Sequence, residues 1–166
     1  MLKKDSLKRF VQVAILSAAF VAPVAYSEAD SIIDAKNPQA ILELAKGFGY
    51  AELGTDSEGD PFINGRIDGT KYGIYFYRCS DEGDDCKDIQ FMAYWSGVDI
   101  SLEVVNRWNY TQRYGKACID EDEDVRIEFP VNIDYGVTSD NLEDTIDWWA
   151  VTLREFRQFI DENTGD

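Results

Sequence analysis

The stretch from Pro61 to Trp95 constrains this chain more than any other part of it. It runs Pro-Phe-Ile-Asn-Gly-Arg-Ile, then Asp68-Gly69, then Thr-Lys-Tyr-Gly-Ile-Tyr-Phe-Tyr-Arg, a loop bounded by Cys79 and Cys86, and Asp-Ile-Gln-Phe-Met-Ala-Tyr-Trp. Asp-Gly between two runs of aromatic and β-branched residues is the chemistry of a two-residue hairpin turn, in which both central residues take positive φ. The stretch therefore predicts three antiparallel strands. Setting Cys79 opposite Cys86 pairs Phe76 with Ile89, Ile74 with Phe91 and Tyr72 with Ala93, so one side of the ribbon is apolar throughout. The same register, carried through Asp68-Gly69, puts Ile63 beside Ile74 and keeps Gly65 and Ile67 on that apolar side. The cysteines, Tyr75, Tyr77, Asp88 and Gln90 are expected on the other side.

The first residues read as an export signal. Lys3, Lys4, Lys8 and Arg9 precede an uncharged, mostly apolar run from Phe10 to Ala22, and Ala25-Tyr26-Ser27 offers small residues where a signal peptidase cuts. A membrane anchor is the competing reading, but it needs about 20 apolar residues, and Pro23 and many small residues interrupt the run. Cleavage after Ser27 is expected, giving a periplasmic or secreted protein with residues 28–36 as a flexible leader and residues 37–162 as a single domain. Without residues 1–27 the chain keeps 12 basic against 31 acidic side chains. Such a balance excludes nucleic acid, whose binding requires cations to displace phosphate counterions, and disfavours an anionic membrane surface. It suits solubility, or attraction to a basic partner.

Export also decides how the cysteines read. Cys79 and Cys86 close a short loop at a hairpin end, and in an oxidising compartment a disulfide is the expected state. Zinc is the alternative; it wants four ligands, and the chain has no histidine. Cys118 is left over, as a free thiol or an intermolecular link.

Along the rest of the chain, Asn37-Pro38 caps a first helix with Ile41, Leu42, Leu44, Ala45 and Phe48 at helical spacing, ended by Gly49. Tyr50 to Thr55 reads as a strand leading through an acidic turn into the ribbon. Ser101 caps a second helix with Leu102, Val105 and Trp108, closed by Gly115. Lys116–Asp120 and Asp124–Asp134 form a second hairpin with Ile119 and Ala117 opposite Val125 and Ile127. Pro130 cannot donate to a ladder, so it belongs at an edge or bulge. Thr138 caps the last helix, whose Leu142, Ile146, Trp149, Leu153, Phe156 and Ile160 form a long apolar stripe. The fold class is therefore α+β, an antiparallel sheet of about five to six strands packed with three helices, in the order α-β-β-β-β-α-β-β-α.

Chemistry is harder to find. Without histidine no Ser-His-Asp or Cys-His arrangement exists. Paired carboxylates could serve a glycosidase, yet nearly every Asp and Glu falls in a turn, a cap or a solvated face, where nothing raises its pKa. The acidic turns at 56–60, 81–85 and 120–124 invite calcium, but an EF-hand loop starting at Asp120 would place Val125 where glycine is needed and Val131 where glutamate is needed. Catalytic residues, metal and cofactor are all expected to be absent. The aromatic surplus is more informative. Tyr75, Tyr77 and Tyr94 fall on the side of the ribbon away from the inferred core, and with Trp108 and Trp148 they are candidates for a partner surface. If helices cover both sides of the sheet, the same residues are ordinary core.

Gly-Tyr-Ala-Glu-Leu-Gly-Thr-Asp at 49–56, Gly59-Asp60-Pro61, Tyr75-Phe76-Tyr77 before Cys79-Ser80, Cys86, Ile89-Gln90-Phe91, Asn106-Arg-Trp-Asn109 with Arg113, and Trp148-Trp149 with Phe156 and Ile160, in this order, resemble the YbjN family of bacterial proteins. The resemblance implies a fold like that of the type III secretion chaperones, whose members are often dimers. It implies a role in sensory transduction without catalytic residues or cofactor. The chain departs from the exported members at Cys118, where they carry an aromatic residue, so no role is carried over for that thiol. The expectation is thus a non-catalytic, exported, chaperone-like binding or regulatory protein that engages another polypeptide, or itself as a homodimer. The alternative is an acidic inhibitor or immunity-type protein that neutralises a basic enzyme.

Overall fold

The computed structural model describes residues 31–164. The elements are β1 (Ile32–Ile33), α1 (Pro38–Lys46), β2 (Tyr50–Thr55), β3 (Pro61–Ile67), β4 (Thr70–Tyr77), β5 (Asp88–Trp95), α2 (Leu102–Thr111), β6 (Lys116–Ile119), β7 (Val125–Asn132), β8 (Val137–Thr138) and α3 (Ser139–Asn163). Six strands make one antiparallel sheet in the order β2-β3-β4-β5-β7-β6, and β1 pairs with β8 beside it. This is the α+β architecture expected, with the same helix and strand order plus the small β1–β8 pair.

The register of the central ribbon is the one the apolar pattern required. Ile63 faces Ile74, Ile74 faces Phe91 and Phe76 faces Ile89. Asp68 and Gly69 both take positive φ, 48° and 82°, as a two-residue turn between right-twisted strands demands. On the second hairpin Ala117 faces Ile127 and Ile119 faces Val125. Beyond Glu128 strand β7 has β5 alone as a neighbour, so Pro130 sits on a local edge, where a residue without an N–H is tolerated.

Three connections close on one repeated turn. In each, the first residue's N–H donates to the carbonyl of the fifth and the fourth residue's N–H donates back to the first: Asp56 with Asp60 and Gly59, Ser80 with Asp84 and Gly83, Asp120 with Asp124 and Glu123. The first side chain also accepts from the backbone N–H two residues on, in all three cases. The fourth residue is left-handed each time, with φ of 95° at Gly59, 76° at Gly83 and 64° at Glu123. Glycine adopts that conformation freely; Glu123 does so against its own Cβ.

All three helices lie on one side of the sheet. Asn37 and Thr138 cap α1 and α3 by accepting from the N–H groups of Ala40 and Asn141, and Ser101 caps α2 through Val104. α1 ends at Lys46 with Gly47 as its cap, earlier than Gly49, and α2 ends at Thr111, before Gly115. The α3 stripe of Leu142, Ile146, Trp149, Leu153, Phe156 and Ile160 is buried along its whole length. Trp149 stacks on Phe91 at 5.5 Å between ring centroids, and Phe156 meets Trp95 at 5.2 Å and Trp108 at 4.8 Å. Each fully buried Ile or Phe in this layer contributes roughly 1.5–3 kcal/mol.

Two expectations are corrected here. Of the leader expected to be flexible, residues 31–36 are docked: Ile33 and Ala35 are buried, Ser139 donates its N–H to the Ser31 carbonyl at 2.8 Å, and Lys36 pairs with Asp85. The apolar pair Ile32-Ile33 supplied that strand, and it was hidden among polar neighbours. The export signal expected at residues 1–27 lies outside the described residues, as do residues 28–30. The second correction concerns the cysteines. Cys79 and Cys86 form a disulfide, but Cys86 is buried in the core layer and Cys79 packs against it. Strand alternation stops at Tyr77, and the left-handed residues Arg78 (φ 55°) and Asp85 (φ 50°) turn both thiols inward. The Arg78 guanidinium grips the Asp88 carboxylate through two bonds, of 2.5 and 2.7 Å, and braces the neck of the loop.

On the buried side of β4, the Tyr72 ring lies across Gly65, where a Cβ would come within 2.3 Å of it. Its hydroxyl has no hydrogen-bond partner among the described residues. Burial pushes the Tyr72 phenol up to about 12.

Alkylation of the oxidised chain without reductant is expected to label Cys118 alone by intact mass, and a Cys79→Ser/Cys86→Ser variant to lose about 2–3 kcal/mol in urea unfolding, the loop-closure value for so short a ring. Glu123→Gly is expected to raise stability by about 0.5–1 kcal/mol by relieving its left-handed backbone. A phenol held protonated by the fold binds its proton more tightly folded than unfolded, so stability is expected to fall as pH rises from about 10, the ordinary tyrosine value, to about 12. Tyr72→Phe should reduce that alkaline slope by its largest single part and gain about 1 kcal/mol at neutral pH.

Candidate functional site

Pleating gives each strand of the ribbon a second set of side chains, and no described helix covers that side of the sheet. Phe62 on β3 stands opposite Tyr75 on β4, with ring centroids 4.7 Å apart. Both rings lean over Gly73, where a Cβ would come within 2.7 Å of each. Glycine at 73 is what lets two aromatic side chains lie down on the sheet instead of standing up. The result is a shallow depression of about 220 Å³ lined by Phe62, Asn64, Lys71, Gly73, Tyr75, Met92 and Tyr94.

Tyr77 and Tyr94 are exposed at its margins, 40% and 44% respectively, while Met92 at 5% is buried without belonging to the core layer. The tyrosines of its own face cover it, and the Tyr94 hydroxyl donates to its Sδ at 3.4 Å. Arg126, paired across strands with Tyr94, lies over the Tyr94 ring at 5.9 Å and bonds Glu128 at 2.6 Å. Burial first, then the neighbouring phenols of Tyr94 and Tyr77, raise the Tyr75 pKa; burial and then Tyr94 raise that of Tyr77. The Tyr75 and Tyr77 hydroxyls therefore stay protonated, as donors and acceptors, beside the apolar side chains of this face.

Of the candidate surface residues, the fold brings Tyr75, Tyr77 and Tyr94 together and separates the two tryptophans from them. Trp108 is buried, 2% exposed, between Phe156 and Phe159, and donates its indole N–H to the Gly115 carbonyl at 3.2 Å. It is core, and its place as a surface residue is corrected: the arc of α2 that carries Val105 is the arc that faces α3. Trp148 is 44% exposed but stands on the helix side of the molecule against Tyr114, 4.7 Å away. Phe62, Met92 and Lys71 were not among the candidates, although the register that sets Ile63 beside Ile74 also sets Phe62 beside Tyr75. The signal was present in the alternation.

The carboxylates are arranged for structure. Asp56 and Asp120 turn their side chains back onto the N–H groups of their own turns. Among the described residues no three His, Cys, Asp or Glu side chains gather where a metal ion could sit. Cys118, half-buried and free, is paired across strands with Arg126 on the uncovered face.

No curated protein matches the chain. The model of one family does, described as "Putative bacterial sensory transduction regulator" and matching residues 37–162, which run from the cap of α1 to the last turn of α3 and so take in the six-stranded sheet and all three helices. By that match, over most of its length, the chain belongs to the YbjN family.

Proposed function

We propose that this protein is a non-enzymatic, exported regulator that works by docking another polypeptide on the uncovered side of its sheet. The observation that carries the reading is the depression over Gly73, where Phe62, Tyr75, Met92 and Tyr94 present a preformed apolar floor fringed with phenol hydroxyls. Aromatic side chains held by packing lose little entropy on binding, and tyrosine adds hydrogen bonds to area; that combination dominates the centres of protein interfaces. Family membership supports a regulatory role. Export rests on the basic and apolar character of residues 1–27 and agrees with a disulfide that an oxidising compartment maintains.

The test compares the oxidised chain lacking residues 1–27 with its Tyr75→Ser/Tyr94→Ser variant as immobilised baits in periplasmic extract. Both positions lie outside the core layer, but Tyr75 packs on Phe62 and Tyr94 on Met92, so the variant is expected to unfold at a lower midpoint and is compared well below it. At least one protein is expected to be held by the native face and lost from the variant, because two central aromatic contacts each contribute about 2 kcal/mol or more. Identical retained sets would remove the reading.

A further inference from the structure

The docking face ends in a concentration of positive charge that the acidic composition conceals. After Ser27 the chain has 12 basic side chains, and Arg66, Lys71, Arg154 and Arg157 all gather at the Asp68-Gly69 turn. Arg154 binds the Asp68 carboxylate through two nitrogens, at 3.1 and 3.2 Å, and Arg157 donates to the Asp68 carbonyl at 3.1 Å. Arg66 donates to the Gly69 carbonyl at 3.0 Å. Lys71 is exposed and engages no partner among the described residues. The carboxylates near this end are Asp68, already shared, Asp161, 3.9 Å from Arg157, and Glu52, across from Asn64 on the uncovered face, which accepts from the Tyr50 hydroxyl. A second cavity, lined by Arg66, Asp68, Gly69, Thr70, Lys71, Tyr94, Trp95 and Arg157, adjoins the depression over Gly73, because Lys71 and Tyr94 line both.

Resting on the docking reading above, we propose that the occupant is a polypeptide segment with one large apolar or aromatic anchor and an acidic side chain close to it in sequence. The anchor fills the depression over Gly73 and the carboxylate meets Lys71 with Arg66 and Arg157. Lys71 and Gly73 are two residues apart on β4, roughly 7 Å along the strand, so the acid lies within two or three residues of the anchor. Charge complementarity selects this partner. The rest of the surface is so acidic that an anionic segment finds attraction at this end of the sheet and repulsion nearly everywhere else, which fixes its position as well as its identity. A basic partner would meet the opposite pattern here.

The experiment is selection from a random dodecapeptide display library on the oxidised chain, followed by anisotropy titration of the selected peptides. Enrichment of Asp or Glu within three residues of an aromatic or large aliphatic residue is expected. For such a peptide Lys71→Glu should weaken binding about tenfold or more, and raising salt from 50 to 500 mM should weaken it by a similar factor, as both remove the same electrostatic contribution. Asp68→Asn keeps a residue suited to the left-handed turn and frees Arg154, so it should tighten binding about threefold, a gain that no folding defect can imitate. Selected peptides without acidic bias, or a Kd unchanged in Lys71→Glu, would overturn this inference while leaving the docking face intact. Failure to select any peptide, or selection indifferent to Tyr75→Ser/Tyr94→Ser, would overturn both. Binding to phosphatidylglycerol vesicles that needs the cations but not the tyrosines would point to a lipid surface instead, and salt-sensitive self-association abolished by Lys71→Glu to a second copy; either result overturns the proposal.

Discussion

Trp149 lies on Phe91 and faces Tyr72, with Phe156 seated between Trp95 and Trp108, and every layer of the protein is set by this contact between α3 and one side of the sheet. A pleated ribbon offers two faces, and a shift of one residue in register exchanges them. Here the exchange is forbidden, because Ile63, Ile74, Phe76, Ile89 and Ile127 would all leave the core together. The Asp68-Gly69 turn and the Cys79–Cys86 link hold the two ends of β4 in the register that the helix requires. Local turn chemistry and long-range packing thus agree, which is the condition for a single folded state.

The same constraint creates the uncovered face. Three helices suffice to cover one side of six strands, and α1, α2 and α3 are all spent on the apolar side. What remains on the other side is whatever the alternation leaves there, and in this chain that is a cluster of tyrosines with Phe62 and Met92 around a glycine. Gly73 is the hinge of the arrangement in a steric sense: a side chain at that point would lift both neighbouring rings and abolish the depression.

Charge is distributed with the same economy. Acidic residues occupy the repeated turns, where Asp56 and Asp120 serve as acceptors for backbone N–H groups, and exposed helix positions. Cations are few and clustered. Four of them surround the one turn that joins β3 to β4, where Arg66 and Arg157 satisfy its carbonyls, Arg154 binds its carboxylate and exposed Lys71 borders the aromatic floor. A net charge of −16 therefore describes the whole chain and misdescribes this one end of the sheet.

From residues alone came the register of both hairpins, the three helix caps, the α3 stripe and the pairing of Cys79 with Cys86, because each is written in local spacing: two for strands, three and four for helices, Asp-Gly for a turn. The same spacing placed Tyr75, Tyr77 and Tyr94 on one side together. Which side the helices would choose, and whether they would cover one or both, depended on contacts between residues far apart in sequence, as in Trp149 with Phe91. That is why Trp108 moved into the core, why Ile33 found a partner in Val137, and why the thiols turned inward once Arg78 and Asp85 broke the strand alternation. The gathering of Arg66 and Lys71 with Arg154 and Arg157 was likewise settled only in three dimensions: nothing in local spacing relates a hairpin turn to a helix face more than eighty residues later.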